Sequence, residues 1–389
     1  MNFLPNTFLT KNAVFKRVLP ELNHYISNFE SSFQFPFDNS SYIFKSKCQA
    51  AVPKTTESLS ISEMIIAVGD VHGSFTQLVL PLIMANLIKN VVIDVNEIKF
   101  EFSEKTEKAK VIYLGDIFDQ SYHDKYYLQV DLLLKVIEKY PNNVVWCYGN
   151  HDIDRYIDLI EQIKTDIVHP GSADFSEAER RFYNFTLTQM KTVHYEPSIN
   201  TLFSHTLILD KTFEAISTGD VEDLLLFSSH SEFKFEGHSS DDHDLEACDL
   251  GGESRPIPFK IEFSILMNEI SEFNRNVRFL IAQKSVNRRI ECKCFNNRCE
   301  DVCEDSETEL EYPKIFKRNI NHVVGHDIVN PSNFKVIMEN GNQIVFADFG
   351  AMLKKGSLTL TKYYETPRFV IFHKDHDPYI LEFPKFVAK

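Results

Sequence analysis

Tryptophan occurs once in the 389 residues, and nowhere does the chain carry a lysine and arginine run of useful length. Formal charge is −15, from 41 basic and 56 acidic side chains. Holding a long stretch of nucleic acid needs a basic face that displaces counterions along the phosphate backbone. This balance therefore argues against extended nucleic-acid binding. It leaves nucleotides open, because metal ions gathered in one site supply local positive charge. Long hydrophobic runs are missing too. The most apolar region, residues 78–95, is broken by Asn86, Lys89 and Asn90. It reads as a helix followed by a strand and not as a membrane span. The first residues, Met1-Asn2-Phe3-Leu4-Pro5, have neither a basic segment nor a long apolar one, so no secretory signal is expected. Seven cysteines, odd in number and unevenly spread, make a poor disulfide framework. A reducing, cytoplasmic setting without membrane association is the expectation.

What is present is ordinary for a globular protein: 43% hydrophobic and 25% charged residues. The 33 phenylalanines read as a composition bias and not as chemistry. The length suits one large domain or two ordinary ones. Three stretches organise the chain. Ile65-Ile66-Ala67-Val68-Gly69 is apolar, as in a buried strand, and runs into Asp70-Val71-His72-Gly73. Val111-Ile112-Tyr113-Leu114 ends in Gly115-Asp116-Ile117-Phe118-Asp119, and Val144-Val145-Trp146-Cys147-Tyr148 ends in Gly149-Asn150-His151-Asp152. Helical segments lie between them: an amphipathic run over 75–88, and another over 127–140 closed by Pro141. Strand, tight turn, helix delivers each polar side chain to the carboxyl end of a strand, where open α/β sheets hold their sites. The glycines let the backbone turn sharply, so that each following side chain points into one shared space.

Taken in this order, the three motifs resemble the calcineurin-like metallophosphatases, nearest the phosphoprotein phosphatase branch and its bacterial-type relatives, which include the diadenosine tetraphosphate hydrolases. The likeness runs from about residue 61 to about 364, with an unmatched middle. Two later stretches extend it. Thr201-Leu202-Phe203-Ser204 ends in His205, and Val323-Val324-Gly325 ends in His326. The closing run, Phe346-Ala347-Asp348-Phe349-Gly350-Ala351 with Gly356-Ser357-Leu358, looks like the terminal hairpin of that branch. Asp348 reads there as a structural buttress, and His322 as structural. The implied fold is α/β: a β-sandwich of mixed sheets flanked by helices, four layers α/β/β/α, with an insert. Residues 1–60 form an N-terminal arm and 61–389 the catalytic domain, with the insert at about 211–318.

By the same resemblance, Asp70, His72 and Asp116 bind a first divalent metal. Asp116 bridges to a second, which Asn150, His205 and His326 complete. Mixed nitrogen and oxygen ligands suit manganese, iron or zinc better than calcium. Two cations ~3.5–4 Å apart activate a bridging water and clamp the phosphoryl oxygens. His151 is implied as general acid at the leaving group, with Asp119 holding its tautomer. The expected activity is phosphate monoester hydrolysis, most like a Ser/Thr protein phosphatase. Its substrate is then a phosphorylated protein or small molecule. Hydrolysis of dinucleotide polyphosphates is the alternative, and a non-catalytic scaffold on the same fold is a further one.

Several departures stand beside this likeness. Thr206 and Leu207 replace the small residues that usually follow the strand-end histidine. Gln120 and Ser121 follow Asp119 where the branch has Arg-Gly. Tyr148 stands where the branch has an arginine that forks onto phosphate. Arg155 could substitute for it, as could Arg275, Arg278, Arg288 or Arg289, so Arg155 and Tyr148 are the candidate substrate-binding residues. No second histidine follows His326 two residues on, where Ile328 stands. That fits the phosphoprotein phosphatase branch and speaks against branches with Gly-His-x-His. Residues 228–254 read as a mobile acidic loop whose histidines are solvated. Cys292, Cys294, Cys299 and Cys303 could hold a structural zinc, pair as local disulfides, or stay free thiols. The arm has helical spacing at Phe15, Val18, Leu19, Leu22, Tyr25 and Ile26 and is expected to pack on the catalytic domain, with contact to a partner as the alternative; the arm and the acidic insert are the candidate surfaces for a protein partner.

Overall fold

The computed structural model describes residues 11–33, 60–118, 126–149, 151–152, 155, 159, 178–182, 185, 191, 193–206, 320–326, 328–329, 331–337, 341–350, 363–374 and 376–388. In chain order the elements are α1 (Lys11–Ser32), β1 (Ile65–Val68), α2 (Phe75–Met84), β2 (Ile88–Ile93), β3 (Ile98–Phe102), β4 (Lys110–Tyr113), α3 (Tyr126–Lys139) and β5 (Val144–Trp146). Then come β6 (Val193–Glu196), β7 (Thr201–Ser204), β8 (Asn321–Val324), β9 (Lys335–Ile337), β10 (Gln343–Phe346), β11 (Tyr363–Glu365), β12 (Arg368–Phe372), β13 (Tyr379–Glu382) and β14 (Phe386–Ala388). Two five-stranded mixed sheets carry the architecture, in the orders β13-β12-β1-β4-β5 and β6-β7-β8-β10-β9. The motif strands β1, β4 and β5 run parallel, and β12 closes on β1 antiparallel.

The alternation of strand side chains sorts the molecule into layers. Ile66, Val68, Val111, Tyr113, Val144 and Trp146 point into a core shared with α1, α2 and α3. Their neighbours Ile65, Ala67, Ile112, Leu114, Val145 and Cys147 point the other way, onto Leu202, Phe203, Val323, Val324 and Ile344 of the second sheet. The motif strands are therefore buried on both faces, which explains why they read as continuous apolar runs. The order in the described residues is helices, sheet, sheet, a mixed α/β arrangement with the expected pair of packed mixed sheets; the second helical layer of the expected four is not among the described residues. The insert at 211–318 and the four clustered cysteines lie outside the described residues.

One helix departs from the sequence reading. The amphipathic run over 75–88 yields a helix that stops at Met84, and every residue of it is buried. Its polar positions are tolerated inside because they find partners. The backbone N–H of Thr76 donates to Glu365 Oε2 at 2.8 Å, and Gln77 Nε2 donates to the carbonyl of Arg368 at 3.1 Å. Ser74 caps the helix by accepting from the Gln77 N–H at 3.1 Å. The outer cover of α2 includes α1. Phe15, Val18, Leu19, Leu22, Ile26 and Phe29 are all buried along one side of α1, at the spacing of a helical stripe. Phe15 stacks on Phe75 with ring centroids 5.5 Å apart. Asn23 exchanges two hydrogen bonds of 2.7 Å with the backbone of Ile93. The described part of the N-terminal arm thus shares a core with the catalytic layers.

Candidate metal centre

The polar residues of the motif strands meet at their carboxyl ends. Asp70 and Asp116 are buried to 2% and 1% exposure, and His205 to 1%. The turns that carry them are bonded to one another. The His72 N–H donates to the Asp116 carbonyl at 2.7 Å, and the Gly73 N–H to the Ile117 carbonyl at 3.2 Å. The His326 N–H donates to Asp70 Oδ1 at 2.8 Å, and the His151 N–H to Asp116 Oδ1 at 2.9 Å. His72, Asp116 and His326 adopt positive φ of 45°, 50° and 66°. Side-chain-bearing residues rarely sit there, at a cost of roughly 1–3 kcal/mol each. The interlocked turns hold them in place.

Three of the motif glycines serve a purpose different from the one expected. Gly115 has φ 111° and needs its freedom. Gly69, Gly149 and Gly325 do not adopt positive φ; they are glycines because the turns touch there. A Cβ on Gly149 would lie 2.1 Å from Asp116 Oδ1, and one on Gly325 would lie 2.7 Å from Asp70 Oδ1. Gly149→Ala must therefore push the Asp116 carboxylate aside. Since misplacements of about 1 Å cost roughly 100-fold in rate, a drop of that size in hydrolysis is expected. A variant within threefold of the parent would refute the close packing.

Two groups of ligand atoms result. Asp70, Asp116, His205 and His326 offer atoms all within 4.8 Å of one another, and so do His72, Asp116 and His151. Asp116 belongs to both. His72 Nε2 lies 3.6 Å from Asp70 Oδ2 and 3.8 Å from Asp116 Oδ2. His205 Nδ1 is 2.8 Å from the Leu114 carbonyl. A carbonyl only accepts, so Nδ1 carries the proton and Nε2 keeps its lone pair, the arrangement of a ligating histidine. That Nε2 faces His326 Nδ1 at 3.0 Å and Asp116 Oδ2 at 3.6 Å.

The electrostatics are those of an anionic site balancing itself with protons. Burial works against ionising Asp70, but the imidazoles of His205 and His72 and the His326 N–H outweigh it and hold its pKa below the usual carboxylate range. Burial also opposes charge on His72, yet the carboxylate of Asp70, 3.6 Å away, and then that of Asp116 raise its pKa to about 9. Burial, then the Asp70 charge, pushes Asp116 well above the normal range. His205 is lowered to about 4 by burial and so stays neutral. Carboxylates and neutral imidazoles around one buried space fit divalent transition ions, whose charge would displace these protons.

Other sequence expectations fare differently. Asn150 and Asp119 lie outside the described residues. Tyr148 needs correction as a phosphate contact. It is fully buried, its ring 4.6 Å from Trp146 and 6.0 Å from Phe182, because an apolar pocket under the turn takes the aromatic ring inward. The Arg155 guanidinium is engaged by Glu179 at 3.2 Å and by the Tyr127 hydroxyl, and it lies over the Tyr127 ring. Asp152 is the residue to which the sequence reading gave no role. Fully buried, it accepts from the N–H groups of Ile117 (2.8 Å), Phe118 (3.3 Å) and Gly149 (3.0 Å) and from Trp146 Nε1 (3.0 Å). It ties the turn after Asp116 to the turn before Asn150. Its place inside the third motif was the available signal.

No described helix is long and apolar enough to cross a membrane. The sequence model of the calcineurin-like phosphoesterases matches residues 64–277, more than half of the chain. No curated protein matches it. The match takes in the motifs at Asp70, Asp116, Asn150 and His205, and the folded chain adds His326 beside His205. This chain belongs to the calcineurin-like phosphoesterase family and is a metal-dependent phosphoesterase.

Proposed function

We propose that the protein is a dimetal phosphomonoesterase acting on phosphorylated proteins in a reducing cytoplasmic compartment, most like a Ser/Thr phosphatase. The observation that carries this reading is the membership of Asp116 in both ligand groups, as a bridging carboxylate would have. By the resemblance, Asp70, His72 and Asp116 would hold one ion and Asp116, Asn150, His205 and His326 the other, whereas the ligand atoms as folded group Asp70 with His205 and His326 and leave His72 and Asp116 with His151. Manganese, iron or zinc, when bound, supplies positive charge to the phosphoryl oxygens and makes a water acidic enough to attack at neutral pH. The protein does the rest. Leu114 keeps the His205 Nε2 lone pair aimed at the centre. Burial of Asp70, Asp116 and His205 strengthens every charge interaction there. His151, with Nε2 3.9 Å from Asp116 Oδ2, would give a proton to the leaving alkoxide, and the resemblance assigns Asp119 to orient it.

The buried ring of Tyr148 lends weight to a second reading, hydrolysis of dinucleotide polyphosphates. It leaves no side chain at that position to fork onto a phosphate, and a larger substrate offers other handles. The test begins with p-nitrophenyl phosphate and metal-stripped protein. Turnover restored by manganese is the expected result, and none with manganese, iron or zinc would sink the reading. A phosphopeptide set against a dinucleotide polyphosphate then separates the two substrates.

A further inference from the structure

The turn after β7 carries a metal-ligand candidate, His205, and continues with Thr206 and Leu207 in place of small residues. It is held at several points. The Gly325 N–H donates to the His205 carbonyl at 3.0 Å, and His205 Nδ1 to the Leu114 carbonyl at 2.8 Å. A third tie comes from side chains. Ser204 Oγ lies 2.6 Å from the Thr206 carbonyl and 2.7 Å from His322 Nε2. The hydroxyl has one proton, and the carbonyl can only accept it. His322 Nε2 must then carry a proton of its own and donate it to Ser204 Oγ. The result is a directed relay, His322 Nε2–H to Ser204 Oγ–H to the Thr206 carbonyl. Ser204, Thr206 and His322 are at 3%, 2% and 1% exposure, so water cannot readily replace a lost member. Burial lowers the His322 pKa to about 3, which keeps the ring neutral and the relay direction fixed.

We infer that His322 and Ser204 are positioning residues for the metal centre: the relay fixes the turn that follows His205 and so sets the direction of the His205 imidazole. The pairing joins adjacent parallel strands, with Leu202 opposite His322 and Ser204 opposite Val324. It therefore also keeps the two histidine-bearing strand ends, His205 and His326, in register. The inference rests on the proposed reading of the site as a metal centre.

The test measures manganese affinity of metal-stripped protein by calorimetry, with thermal melting of each variant in chelator. Partners of metal-binding histidines typically change metal affinity 10–100-fold. His322→Leu, which keeps bulk and removes the donor, is expected to weaken manganese binding at least about tenfold. His322→Gln, which can present an N–H at the same place, is expected to stay close to the parent. Ser204→Ala is the second probe if His322→Leu does not fold, and it should weaken binding to a similar degree. Affinity unchanged in the folded His322→Leu or Ser204→Ala protein overturns the inference, whatever the melting temperature does. So does equal loss in His322→Gln and His322→Leu, which would make ring shape the cause. If the unmutated protein takes up no manganese, the metal-centre reading fails first and the positioning role falls with it.

Discussion

Asp116→Asn is expected to lower manganese-dependent ester hydrolysis by roughly 1,000-fold while leaving the metal-free fold intact. A divalent clamp on a phosphoryl group is worth several kcal/mol, and each 1.4 kcal/mol is about tenfold in rate. Asp116 is the carboxylate common to both ligand groups, so its charge is the one whose loss affects both ions. The fold should tolerate the change for a specific reason. Burial and the Asp70 charge already favour the protonated, uncharged form of Asp116 without metal. Asparagine is close to that form in shape, and it keeps an oxygen to accept the His151 N–H, now 2.9 Å from Oδ1. Melting in chelator should be nearly unchanged. A variant retaining a tenth of the manganese-dependent rate would remove Asp116 from the centre of the mechanism.

Asp152→Ala should have the largest effect on stability. Removal of this carboxylate orphans the N–H groups of Ile117, Phe118 and Gly149 and the Trp146 indole N–H. Each unsatisfied buried donor costs about 1–3 kcal/mol, and water entering the space recovers part of that. A net loss of about 3–5 kcal/mol follows, in line with breaking other buried charged contacts, or of order 10 °C in melting temperature. Asp152→Asn should fare little better, because its amide turns two donors toward donors. The variant should also bind manganese more weakly, since Asp152 joins the turns on either side of the site. A loss under about 1 kcal/mol, read by urea titration, would show that the turns hold each other without it.

The strands and the candidate ligands at their ends were legible because each motif is local. An apolar run followed by glycine and a polar side chain encodes its own turn, and strand alternation sorts residues between two cores without any knowledge of their partners. The α1 stripe was readable for the same reason, as a helical period of buried positions. The role of the glycines was only half readable. Gly115 needs its positive φ, a property of its own backbone. Gly69, Gly149 and Gly325 are needed for the proximity of another turn, and no local pattern encodes that.

Tyr148 and α2 show the other limit. A side chain replacing an arginine looked like a substrate contact until the Trp146 and Phe182 rings drew it into the core. An amphipathic pattern marked a helix, but only Glu365 and Arg368, nearly 300 residues away, allow its polar positions to be buried. Chemistry was set by the order and identity of motif residues, because metal ligands are few and their residue types are demanding. Geometry was set by tertiary structure: the single carboxylate shared by two ligand groups, the four donors on Asp152, and the relay from His322 through Ser204. Those depend on strands far apart in the chain lying side by side, and the energetics of burial, not local propensity, hold them there.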